Sequence, residues 1–111
     1  MTIPASEQGR LPLDTQSFRE AMSRIAAAVH VVTTDGPGGQ QGATVSAACS
    51  VSDDPPSILI CLNRQTRVHS AVLQNRCFCL NTLSDDHEGI SDSFAGRDNL
   101  EMSERFSRAD W

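Results

Sequence analysis

Apolar residues recur at Phe18, Met22, Ile25 and Ala26, while Arg19, Glu20, Ser23 and Arg24 fall between them. That spacing draws one apolar stripe along a helix and predicts an amphipathic helix packed on the surface. Ser17-Phe18-Arg19-Glu20 has the form of a capping box, which predicts the helix start at Ser17. Past Ala28 the pattern changes to Val29-His30-Val31-Val32-Thr33-Thr34, a short β-branched run that predicts a strand. Asp35-Gly36-Pro37-Gly38-Gly39 reads as a turn, and Gly42 to Ser52 as a second strand built of small residues. Asp53-Asp54-Pro55-Pro56 reads as another turn, because proline cannot continue a central strand.

Ser57 to Leu62 is apolar on both faces and predicts a central, fully buried strand. Asn63 to His69 is polar, Ser70 to Gln74 predicts a short helix, and Arg76 to Leu83 a fourth strand. Ser84-Asp85-Asp86 can cap a helix that carries Ile90 and Phe94 and ends at Gly96. The last fifteen residues hold Leu100, Met102, Phe106 and Trp111 with charges between them. Residues 1–13, with Pro4, Gly9 and Pro12, read as a loose arm ahead of one domain over 14–111. The order of elements predicts a mainly β fold, an antiparallel sheet with flanking helices that rolls towards a barrel. Two hairpins exclude a doubly wound sheet, and four strands do not close a barrel that fills its own interior.

Composition adds exclusions. The chain has 111 residues, 39% apolar and 21% charged, which fits one folded domain. A formal charge of −5 argues against nucleic acid as a partner. All nine basic residues are Arg, so there is no lysine for a Schiff base or a P-loop, and no Tyr is present to act as acid or base. The longest apolar runs, Ile25–Val29 and Ile58–Leu62, fall far short of the about 20 residues that span a membrane. Met1 to Arg10 lacks the pattern of a secretory signal, so a cytoplasmic setting is expected. Cys49, Cys61, Cys77 and Cys79 lie in strand-like segments and are expected to be reduced, buried thiols.

Two segments are candidates for binding. In Gly42 to Ser52, small side chains would let a flat ligand meet backbone groups, and Thr44, Ser46, Ser50 and Ser52 fall at even positions, hence on one face. The same pattern also describes a half-exposed edge strand with a Ser/Thr surface. Asn63-Arg64-Gln65-Thr66-Arg67-Val68-His69 offers two guanidiniums, a hydroxyl and free amides at a helix start, a phosphate cradle. It reads equally as a solvated turn. His30, His69 and His87 match no metal-ligand spacing, and Cys77-x-Cys79 differs from the turn that zinc prefers, so no metal is expected.

Phe18 to Arg24, Val31 to Gly36, Cys49 to Ser57, Cys61-Leu62-Asn63-Arg64, Phe78 to Leu83 and Phe94-Ala95-Gly96 follow one another as six ordered blocks. In these the chain resembles the short-chain flavin reductase family, the reductase partners of two-component flavin-dependent monooxygenases. The resemblance runs from about Asp14 to Trp111 and is nearest to the 4-hydroxyphenylacetate 3-monooxygenase and pyrimidine-degradation branches. It implies an FMN-binding split β-barrel, a homodimer with flavin near the subunit interface, and reduction of FMN or FAD by NADH or NADPH. The reduced flavin would pass to an oxygenase.

Position by position, the resemblance implies that Thr44, Val45, Ser46, Ala47, Ser50, Val51 and Ser52 line the isoalloxazine. It implies Asn63, Arg64, Thr66, Arg67 and His69 at the ribityl phosphate, with Phe94 near the flavin. Hydride would pass directly from nicotinamide C4 to flavin N5, so no catalytic acid or base is expected of the protein. Val45 and Ala48 depart from the family pattern, where Ala is commoner at the first position and a larger apolar residue at the second. Family members continue past the position of Trp111 with further strands and a nicotinamide-linked Gly-x-His segment, so the chain is expected to be a C-terminally truncated member. A flavin-binding module without turnover is the alternative. A missing barrel half predicts dimers or aggregates rather than a monomer.

Overall fold

The structure, a computed structural model, describes residues 12–111. The arm expected over 1–13 therefore lies, up to residue 11, outside the described residues. Helix α1 spans Thr15–Ser23 and starts earlier than the capping box predicts. Asp14 is the N-cap: one carboxylate oxygen accepts from the Ser17 amide at 2.8 Å and the other from the Ser17 hydroxyl at 2.9 Å. The carboxylate offers a separate oxygen to each donor, whereas a serine hydroxyl has a single oxygen. The apolar stripe is present but not packed, with Phe18 51% exposed and Met22 and Ile25 also exposed. No other described element covers it.

Strands β1 (His30–Thr34), β2 (Gln41–Val45) and β5 (Cys79–Thr82) form one antiparallel sheet in the order β2-β1-β5. Strands β3 (Ala48–Asp53) and β4 (Pro56–Ile60) form a separate two-stranded ribbon. The single strand expected over Gly42–Ser52 is thus two strands in two sheets. The break falls at Ser46-Ala47, where the Ala48 amide donates to the Ser46 carbonyl at 3.0 Å and turns the chain. A register shift between Ser50 and Ser52 further upsets the even spacing of the hydroxyls. The sheets are antiparallel with helices around them, as expected, and among the described residues they do not close into a barrel.

The strand expected to be central and buried is β4, and it pairs only with β3. Ile58 and Leu59 are 48% and 52% exposed, because no described element lies over either face of the ribbon. The four thiols are free, as expected, but all are exposed rather than buried. Cys49 belongs to the ribbon, Cys61 directly follows it, and Cys77 and Cys79 sit at or before the edge strand β5.

The core lies around β1. Val31 and Val32 point to opposite faces of the sheet, and both are fully buried. On the Val32 side, helix α2 (Arg67–Asn75) presents Val68 and Ala71 as buried residues. Asn75 fixes that helix in place, donating to the Thr34 hydroxyl and to the Gly39 carbonyl, each at 3.0 Å. On the Val31 side, helix α3 (Glu88–Phe94) follows a single 3-10 turn over Asp85–His87, one helical stretch within the expected bounds. Gly96, at φ 78°, stands just beyond its end, where a left-handed residue is suited. Thr44 faces α3 and donates its hydroxyl to the Ser91 carbonyl at 2.6 Å.

A last helix, α4 (Met102–Phe106), lies where the sequence pattern predicts no element. With it, Phe94, Phe106 and Trp111 pack ring to ring, centroids 5.2 to 5.5 Å apart. Gly42 of β2 lies directly beneath: a Cβ there would stand 2.8 Å from the Phe94 ring. Among the described residues no helix is long and apolar enough to cross a membrane.

Candidate functional site

The polar stretch after β4 is a built loop rather than a loose one. The Asn63 side-chain oxygen accepts from the Gln65 amide at 2.9 Å, and its carbonyl accepts from the Thr66 amide and hydroxyl at 3.1 and 2.7 Å. Thr66 is then the N-cap of α2, its hydroxyl oxygen accepting from the His69 amide at 3.3 Å. Those bonds leave the amides of Arg67 and Val68 without a partner among the described residues. The Arg64 and Arg67 side chains pair with no carboxylate among the described residues. Free amides at the positive end of a nine-residue helix, flanked by two unpaired guanidiniums, suit an anion.

Two clefts meet at this point. The first, about 320 Å³, runs along α2 and is lined by Arg64, Gln65, Thr66, Arg67, Gly38 and Gln41 among others. The second, about 370 Å³, opens between the start of β2, the start of α2 and the approach to α4. Gln41, Thr66 and Arg67 belong to both, so they form a shared wall. The β2 side of the second cleft is an edge, since β2 pairs only with β1. Gln41 and Ala43 face the α2 side of the sheet, whereas Gly42 and Thr44 face α3.

Arg64, Thr66 and Arg67 are therefore gathered as the sequence suggests. Asn63 and His69 build the loop and its cap, and neither side chain lines these clefts. The other expected group is scattered. Thr44 and Val45 end β2, Ser46 and Ala47 are exposed between the strands, and Ser50, Val51 and Ser52 are exposed on the ribbon. None of the seven lines either cleft. Phe94, 4% exposed, is enclosed by the chain's own aromatic rings.

Gln41 and Arg105 carry no signal in the sequence, yet both line the second cleft. Arg105 comes from α4, where Asp98 lies 3.7 Å from it and also pairs with Arg108 at 3.3 Å. The Asp98 carboxyl is held below the usual carboxylate range, first by the nearby hydroxyl of buried Ser93, then by the Leu100 amide and the two guanidiniums. Among the described residues that buried hydroxyl has no hydrogen-bond partner. Among the described residues no group of three or more His, Cys, Asp and Glu is placed to hold a metal ion.

Residues 22–111 match the family described as flavin reductase like domain. An FMN reductase (NADH), RutF 1 of Methylorubrum extorquens, is 50% identical over 106 residues, covering 96% of this chain and 52% of that protein. Among solved structures, BorF, the flavin reductase component of a bacterial two-component tryptophan halogenase, is 31% identical with a TM-score of 0.78. The match covers 88% of this chain and 61% of that one. The styrene monooxygenase flavin reductase of Pseudomonas putida S12 is 27% identical with a TM-score of 0.67, over 76% of this chain and 55% of that one. The chain spans about half the length of the curated relatives it matches.

Proposed function

The chain belongs to the flavin reductase like domain family, and from that premise we propose that it serves NAD(P)H-dependent reduction of flavin, with FMN held at the start of α2. The observation that carries this reading is the pair of clefts sharing Thr66 and Arg67, where free helix amides and unpaired guanidiniums await an anion. These residues fit the phosphate end of a flavin nucleotide. The amides and Arg64 and Arg67 bind it, and the Asn63–Thr66 bonds keep the loop from rearranging. When bound, flavin supplies the acceptor atom N5 for hydride from a reduced nicotinamide, so the protein's task is to stack and orient rings. The segment Thr44–Ser52, which the family resemblance assigns to the isoalloxazine, is half-buried at Thr44, Val45 and Ala48 and exposed elsewhere, and it consists mostly of small side chains.

FMN and NADH are favoured over FAD and NADPH by the names of the relatives at about 50% identity. A partner oxygenase that receives the reduced flavin is favoured by the halogenase and styrene monooxygenase components among the similar structures. A homodimer is favoured by the exposed apolar residues Val51, Ile58 and Leu59 on the ribbon. A reducing, cytoplasmic setting accords with the four free thiols.

The test is an FMN titration followed by flavin fluorescence, then NADH consumption in the presence of FMN. Saturable binding with NADH consumption above background is the expected result. Binding without consumption makes the chain a flavin-binding module. Absence of any flavin binding would falsify the proposal.

A further inference from the structure

Arg105 reaches the second cleft from α4, a part of the chain outside the α2 loop that carries the proposed phosphate site. Its side chain is only 17% exposed. Its Nε donates to the Leu100 carbonyl at 3.1 Å and lies 3.7 Å from an Asp98 oxygen. Both terminal nitrogens have no partner among the described residues. A guanidinium anchored through Nε presents its two NH₂ groups as a fork already held in place, so little rotamer freedom remains to be lost on binding.

The charge balance agrees. Asp98 is shared by Arg105 and Arg108, so that trio keeps one positive charge. Arg67 adds a second, against the exposed Glu101 at the same cleft. The cleft is thus net positive in a chain that is net negative overall.

We propose that Arg105 is a phosphate-binding residue of the nucleotide site, acting with Arg67 across the second cleft on the phosphate of FMN. This rests on the flavin-nucleotide reading above and adds a residue from a different element to it. The two halves of the site then have different origins. The α2 loop supplies amides and exposed guanidiniums, whereas α4 supplies one pre-set fork. A ligand without a phosphate gains nothing from Arg105.

The test compares FMN with riboflavin, which shares the ring and ribityl chain and lacks the phosphate. Affinities of the unmodified 111-residue chain and of Arg105→Gln are measured for both by fluorescence quenching. The expected result is a loss of about ten-fold or more for FMN, typical of one charge-assisted hydrogen bond, with riboflavin unchanged. An unchanged FMN-to-riboflavin ratio overturns the assignment, as does an equal loss for both ligands.

Should Arg105→Gln bind neither ligand, Arg105→Met, which keeps the packed stem, is read by the same ratio and the same criteria. Two results in the unmodified chain identify a failure of the earlier reading instead. They are no binding of either flavin, and equal affinity for FMN and riboflavin; each also removes the ground for Arg105.

Discussion

The side-chain oxygen of Asn75 accepts the Gly38 amide at 2.6 Å, and this contact holds the turn between β1 and β2 against α2. The same side chain donates through its nitrogen to Thr34 and to the Gly39 carbonyl, so one residue ties strand, turn and helix together. Gly38 lies so close to the helix that a Cβ there would stand 2.8 Å from the Gln74 Cβ and 3.2 Å from the Ala71 Cα. Gly38 and Gln74 both line the first cleft, so Asn75 sets the shape of that cleft without facing a ligand.

Replacing Asn75 with Ala should destabilise the fold by about 1–3 kcal/mol, since partly buried donors and acceptors lose their partner. Chemical denaturation measures this. FMN affinity should fall as well, because the Gly38 wall is freed; an unchanged affinity would separate the turn from the site.

Gly42→Ala should cost about 1–3 kcal/mol, the usual range for overpacking a filled core. The added methyl must displace the Phe94 ring, which is itself locked between Phe106 and Trp111. A thermal midpoint equal to that of the unmodified chain would show that the aromatic cluster can yield.

The α2 site is legible in the sequence because its signals are local. A polar loop, a hydroxyl and two nearby arginines before a helix need no knowledge of distant contacts, although the helix begins at Arg67 with Thr66 as its cap rather than at the expected Ser70. Gly42 and Arg105 are illegible for the opposite reason. A glycine beneath an aromatic ring reveals itself only when β2 and α3 are brought together, and a five-residue helix is too short to show a period. The apolar run of β4 misleads for a related reason. Its composition says that it can be buried on both faces, and nothing in it says by what.

Arg64→Gln combined with Arg67→Gln should weaken FMN binding by about ten-fold or more and flatten its dependence on salt, because exposed guanidiniums act through screened charge. Titrations at low and high ionic strength check both. Riboflavin affinity should not change.

Asp98 ties stability to acid. Its carboxyl titrates lower in the folded chain than when unfolded, so the folded state gains from it above the ordinary carboxylate value near 3.8. That gain is lost as the pH falls from there through the lowered folded value. Asp98→Asn should therefore be less stable than the unmodified chain at neutral pH and converge with it in strong acid. Parallel denaturation series at the two pH values test the sign, and a difference that widened in acid would contradict it.

Cys77 and Cys79 should react with a thiol reagent in the folded chain, whereas Cys49 and Cys61 should be protected where the proposed homodimer covers the ribbon. Counting modified sites by mass under native conditions settles the number. Ready modification of Cys49 and Cys61 would show that the ribbon is not covered in solution.

Val31 and Val32 sit side by side in β1, one supporting the α3 aromatic cluster and the other the α2 wall. The strand is thus a shared beam, loaded from both sides. A drift of sequence that reshapes the ligand clefts from beneath must also disturb the packing opposite, so evolution can retune this site most freely from its rim.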